Sequence, residues 1–181
     1  MTGRGIARLA AVVAVAALGL SGCTAATGSP SSSPSATGAT PTNVIDFAGL
    51  PGIAIGASLS ELTKAGAITT TGPGCGPSFA SLPNASPVFD ADRLVLIWAY
   101  PPLHTPENVS VGSSIEAARK AYPSAVELSA PAGSHRYPGL LVTGPDDLTY
   151  LMLHDGGRVQ KLVVGMQTYA RMLVDTGFGV C

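Results

Sequence analysis

Histidines, paired aspartates and cysteines are the side chains of this chain that could do chemistry, and their spacing decides how far to pursue them. The three histidines, His104, His135 and His154, stand far apart, in or beside expected loops and turns. A catalytic triad is recognised by geometry rather than by order along the chain, so spacing alone does not dispose of one. The carboxylate pairs Asp90 with Asp92 and Asp146 with Asp147 each fall where a turn is expected. Asp is favoured in turns for the hydrogen bonds it makes to nearby backbone, and that is the plainer reading. The Gly and Glu positions of a calcium loop are not filled after Asp90-Ala91-Asp92. No Gly-x-Ser-x-Gly elbow, phosphate loop or dinucleotide fingerprint occurs. The reading is therefore non-enzymatic, with no cofactor and no metal site.

Cysteine is more informative. Arg4 and Arg8 give the chain a positive start, and Leu9 to Leu20 form an apolar stretch of Leu, Ala, Val and one Gly. That stretch is shorter than the ~20 residues a spanning helix needs, and it suits the core of an export signal. Leu20-Ser21-Gly22-Cys23 follows directly, and it resembles the lipobox of bacterial lipoproteins. The resemblance implies cleavage before Cys23, a thioether-linked lipid on its sulfur, and acylation of the new amino group. Two acyl chains suffice for stable anchoring, at about 0.8 kcal/mol per buried methylene. The competing reading is an ordinary secreted protein cut near Ala26.

With Cys23 lipidated, Cys75 and Cys181 are the remaining pair, and an exported chain meets oxidising conditions. A disulfide is the favoured reading, with two free thiols or metal ligands as alternatives; no CxxC or adjacent Cys/His pair supports a zinc site.

Composition bounds the partners. Residues 1–22 form the signal, and the ten basic residues fall to eight once Arg4 and Arg8 leave with it, against eleven acidic ones. A mildly acidic chain without basic clusters is a poor match for nucleic acid. Lysine is scarce and Ala, Gly and Pro abound, a style that looks actinobacterial. Residues 23–43 are rich in Ser, Thr, Pro and Gly and carry no charge, so they read as a lipid-anchored disordered linker. Residues 44–181 then make one extracytoplasmic domain on the outer side of the cell membrane.

An internal repeat organises that domain. Residues 52–66, GIAIGASLSELTKAG, and residues 108–122, NVSVGSSIEAARKAY, align without gaps. Gly56 meets Gly112, Ser58 meets Ser114 and Lys64 meets Lys120. In the first segment Ile53-Ala54-Ile55 reads as a strand ended by Gly56, and Ser58 with Glu61 forms a capping box. In the second, Ser113 with Glu116 supplies the box, and Ile115, Ala118 and Tyr122 make the buried stripe. Each helix is followed by a hairpin signal. Residues 87–89 and 93–100 flank the turn Asp90-Ala91-Asp92, and residues 148–154 and 158–166 flank Asp155-Gly156-Gly157. Leu140 to Thr143 adds a strand.

The expectation is an α+β domain of two β-α-β-β repeats, about 50–105 and 106–167. Together they form a mostly antiparallel sheet with helices on one face. The tail, 168–181, reads as a helical turn or a strand. Gly56-Ala57-Ser58 and Gly112-Ser113-Ser114 resemble the strand-to-helix cue of the β-lactamase-inhibitor-protein-like repeats and of outer-membrane-assembly lipoproteins of the SmpA/OmlA type. Those families carry Met where this chain has Ala57 and Ser113. The chain is also similar to a group of actinobacterial lipoproteins of uncharacterised role.

Alternate residues of a strand share a face. That places Leu94, Leu96, Trp98 and Tyr100 together, with Val95, Ile97 and Ala99 opposite. Trp98, Tyr100, Tyr150, Met152 and His154 are the set expected on one open, partner-binding face, since Trp and Tyr combine an apolar body with a polar tip. The functional expectation is a lipid-anchored binding module of the cell envelope, held to the membrane through Cys23 and recognising an envelope protein. The alternative is a small-ligand or lipid carrier with an internal apolar pocket.

Overall fold

Two short runs of β-branched, aliphatic and aromatic residues, each folded back by a turn, build the centre of the domain. The computed structural model describes residues 43–69 and 76–177, so Cys23, Cys75 and Cys181 all lie outside the described residues. Strands β1 (Gly49–Leu50) and β2 (Ile53–Ala54) lead into helix α1 (Leu59–Lys64), and β3 (Ile68–Thr69) pairs with β4 (Ser78–Phe79). The first long hairpin is β5 (Ala85–Asp90) and β6 (Arg93–Ala99). Helix α2 (Ile115–Ala121), β7 (Val126–Leu128) and β8 (Gly139–Thr143) precede the second, β9 (Leu148–His154) and β10 (Val159–Met166). Helix α3 (Gln167–Asp175) follows. The main sheet runs β5-β6-β10-β9-β8-β7 and is antiparallel throughout. The chain is thus α+β with a mostly antiparallel sheet.

The two junctions leading into α1 and α2 are held by the same bonds. Gly56 N donates to Leu94 O and Gly112 N to Val159 O, both at 2.8 Å. Leu94 N returns a bond to Ala57 O and Val159 N to Ser113 O, both at 2.9 Å. Both glycines have φ near +90° (89° and 92°), a region that costs a side chain but not glycine. Ser58 Oγ accepts from Glu61 N at 3.0 Å, and Ser114 Oγ accepts from Ala117 N at 3.1 Å. The expected Ser113–Glu116 box is therefore corrected: Ser114 is the cap, and Ser113 Oγ accepts from Ser110 N instead. The segment 108–111 before α2 is not a strand, which also departs from the expected order.

Each hairpin carries a bulge at the same distance from its turn. In β6, Phe89 pairs with Leu94 but Val88 with Leu96, leaving Val95 as the extra residue. In β10, Val159 pairs with His154 but Lys161 with Leu153, leaving Gln160. A bulge breaks the two-residue alternation and bends the strand. Leu94 consequently packs with Ile97 and Ala99, while Val95 joins Leu96 on the other side.

The sheet is buried on both faces. Against one lie α1, α2 and the entering chain, through Leu62, Ile115, Ala118, Tyr122, Ile45 and Ile53. Helix α3 covers the opposite face with Ala170, Leu173 and Val174, packed near Val95, Leu96, Leu151 and Val163. The expectation of helices on one face holds for α1 and α2 and fails for α3. The tail that read as helix or strand is helical at residues 167–175. Among the described residues no helix is long and apolar enough to cross a membrane.

Candidate functional site

Two cross-strand rows decide where the expected binding residues stand. Ile97, Val164, Tyr150 and Val142 form one row, and Ala99, Leu162, Met152 and Leu140 the next. Both face α1 and α2. Trp98 pairs with Val163, which pairs with Leu151, and this row faces the other way. Tyr150, Met152 and His154 are 1, 0 and 3 % exposed, whereas Tyr100 is 43 % exposed and Trp98 half-buried. The single open face of five residues is thus corrected. Tyr150 and Met152 belong to the core, and burial of each contributes about 1.5–3 kcal/mol. Only Trp98 and Tyr100 reach solvent together.

Tyr150 anchors an aromatic cluster rather than a binding surface. Its ring stacks on Phe47 with centroids 4.0 Å apart and meets Tyr122 at 5.7 Å. Its hydroxyl donates to Ile45 O at 3.3 Å, and the Tyr122 hydroxyl donates to the Glu107 carboxylate. Burial pushes both phenols above the ordinary tyrosine range, and the Glu107 charge adds to the effect.

His154 is equally committed. Gly156 N donates to its Nδ1 at 3.1 Å. Nε2 lies 2.6 Å from Glu127 Oε1, off the line of a hydrogen bond but within ion-pair distance. Arg119 Nη2 holds the other oxygen of Glu127 at 2.9 Å. Burial opposes ionisation of Glu127, and the Arg119 hydrogen bond and the His154 charge outweigh it, holding the carboxyl below its usual range. The trio ties α2, β7 and β9 together. His104 turns its Nδ1 to Thr105 O at 2.8 Å.

A cleft of about 920 Å³ lies where the β5–β6 turn, the start of β9 and the start of α3 meet. Its walls mix Ile55, Leu148, Met166 and Met172 with Asp90, Arg93, Asp146 and Asp147. A lining that mixes apolar side chains with a few charged groups is the composition of ligand clefts, whose volumes run from about 300 to 1,000 Å³. Tyr169 stands at its rim and donates to Asp90, a bond that pushes the phenol above its usual range. Asp146 and Asp147 both have positive φ, 53° and 57°, in the 3₁₀ turn before β9. Asp is one of the few residues that tolerates this region. A smaller hollow of about 500 Å³ adjoins across Asp90, Arg93 and Tyr169 and reaches Gly56 and Ser58.

The sequence drew attention to Asp90, Asp92, Asp146 and Asp147 but gave no reason to join them. Asp90, Asp146 and Asp147 meet in the cleft, while Asp92 caps the start of α1, accepting from Ser60 N at 3.1 Å. Arg93, Met166 and Tyr169 were missed, because only tertiary packing of α3 brings residues 166–172 to the β5–β6 turn. Among the described residues no group of three His, Cys, Asp or Glu side chains is arranged to hold a metal ion. No protein family matches the chain, and neither a curated protein nor a solved structure matches it.

Proposed function

We propose that this chain is a lipid-anchored, extracytoplasmic binding module of the cell envelope, and that its partner enters the cleft bounded by Asp90, Arg93 and Tyr169. The observation that carries the location is the order of the N-terminal signals: charged start, apolar run, Leu20-Ser21-Gly22-Cys23, then an uncharged linker ahead of a single domain. The cleft supports the binding role through its size and its charged walls. Its volume also favours the second reading, a carrier of a small ligand, with the ligand seated in an open cleft rather than an enclosed pocket.

We further propose that the two hairpins with their helices are copies of one unit related by a pseudo-twofold axis through the Trp98–Val163 pair. Matching Arg93 to Arg158, an offset of 65 residues, exchanges the pair Ile97–Val164 with Ala99–Leu162 and leaves Trp98–Val163 in place. The shared bulges and junction bonds support this reading.

Mass spectrometry of the mature chain tests the anchor. The expected product begins at a lipidated Cys23, with Cys75 and Cys181 in one linked pair on non-reducing peptide mapping. A mature chain that starts elsewhere without lipid ends the anchor reading. Affinity capture from solubilised envelopes then compares the native protein with Arg93→Glu. Loss of a specific partner in the variant supports the cleft, and unchanged capture of that partner removes it.

A further inference from the structure

The entering chain and the one tryptophan share an end of the domain. His104 N donates to Asn43 O, Ile45 N donates to His104 O, and Leu103 N closes the turn back to Tyr100 O, each at 2.9 Å. Asn43 therefore enters the fold beside the turn Tyr100–Leu103, whose Pro101 and Pro102 are exposed. Tyr100 continues β6 past its last residue, with its N–H donating to Asn84 O at 2.8 Å. In the β6–β10 register, Ala99 pairs with Leu162, so Lys161 is the neighbour of Tyr100 on the next strand. The Lys161 ammonium stands 5.4 Å from the centre of the Trp98 ring. Trp98 half-exposed, Tyr100 exposed and Lys161 exposed thus border the point where the linker enters.

We infer that this end of the domain rests on the phospholipid surface into which Cys23 is anchored, with Trp98 and Tyr100 at the headgroup–acyl boundary and Lys161 toward lipid phosphate. The inference rests on the proposed anchor at Cys23 and adds an orientation to it. Indole and phenol rings settle at this boundary because their bodies are apolar and their tips polar. A lysine reaches past such rings to the phosphate layer. Cys23 and Asn43 stand twenty positions apart, and the linker expected from the sequence between them would reach roughly 25 Å, from about 5–6 Å times the square root of its length. Tethering at that range gives an effective concentration of order millimolar, so a weak patch is occupied without high intrinsic affinity. Because the linker enters beside Tyr100, the patch and the anchor reach the same bilayer without the domain having to turn over.

Trp98 is the sole tryptophan of the chain, so its fluorescence reports this contact alone. The mature lipidated protein is placed in phosphatidylcholine vesicles with and without phosphatidylglycerol, some carrying phospholipids brominated high on the acyl chain. The expected result is a blue-shifted emission and loss of most of it to the brominated lipid, greater with phosphatidylglycerol present. Tyr100→Ser with Lys161→Glu restores much of the emission while the protein still floats with the vesicles. A chain that floats with Trp98 unquenched overturns the inference and leaves the anchor standing. A chain that does not float overturns both.

Discussion

The β5–β6 hairpin with α1 and the β9–β10 hairpin with α2 use one set of backbone bonds and close differently. In the second, Arg158 Nη1 donates to Gly112 O at 2.6 Å, across the junction that leads into α2. Asp155 Oδ1 accepts from Gly157 N and Arg158 N, both at 2.8 Å, and its other oxygen accepts from Gln160. The corresponding Arg93 lines the cleft with Asp90 instead. The turn differs too: Gly156 takes φ 93° where the first hairpin has Ala91 at φ 52°. His154, tied to Glu127 and Arg119, stands where the first hairpin has Phe89. A backbone frame fixes where the helix begins, and the side chains laid over it decide whether the junction is sealed or left as a cleft. Under the proposed function, the sealed junction is structural and the open one is where binding is sought.

The largest expected effect falls where the two strands at the centre meet. Gly165 in β10 has φ 152°, and a Cβ there would come within 2.2 Å of Val95 O and 2.9 Å of Leu96 Cα. Neither is a flexible side-chain end, so the strands must separate. Gly165→Ala is expected to cost about 2–3 kcal/mol or more in denaturant unfolding. The position matched to it in the first hairpin is Tyr100, exposed at the strand end, where Tyr100→Ala should stay within about 0.5 kcal/mol. Equal costs at the two positions would break the account of the central contact.

The caps sharpen the comparison. Ser58→Ala and Ser114→Ala each remove an acceptor for a first-turn N–H, and each should cost about 0.5–2 kcal/mol. Ser58 Oγ also contacts Ser60 Oγ at 2.7 Å, and Ser60 reaches Asp92, so the first variant should be the costlier by a few tenths. A clear loss at one site with none at the other would separate the two junctions despite their matching bonds.

How much of this was legible in the sequence follows from the range of each interaction. The hairpins were readable because alternating aliphatics bracket Asp90-Ala91-Asp92 and Asp155-Gly156-Gly157, and turn chemistry is local. The helix starts are readable to within a residue, since Ser caps act over three positions; Glu116 completes the capping motif for Ser113 in sequence, although Ser114 is the cap. The faces were not readable. The bulge at Val95 reverses the alternation, so Leu94 and Leu96 part company, and strict period-two counting cannot detect it. Burial of Tyr150 and Met152 depends on which strands become neighbours, a long-range matter. The cleft was hidden for the same reason: α3 looks ambiguous alone, and only its packing on β10 and β9 carries Tyr169 to Asp90.

The smallest effect is a pH dependence confined to the sealed half. Glu127 is held below the ordinary glutamate range against the opposing pull of burial, through Arg119 and His154. A carboxylate with a lowered folded pKa contributes stability in full above its unfolded value, about 4.3, and loses it as the pH falls through the lower folded value. The side chains of Glu127 and Arg119 are 43 and 48 % exposed, so water screens the pair and its contribution should stay below about 1 kcal/mol. Glu127→Gln should therefore lower the melting temperature slightly at pH 7 and converge with the native chain in acid. The two curves should meet as the pH drops below the ordinary glutamate range, while Arg93→Gln, at the matched open junction, should follow the native curve throughout. If Glu127→Gln instead runs parallel to the native protein down to acid pH, the charge of Glu127 contributes nothing, and packing around His154 alone closes the second half.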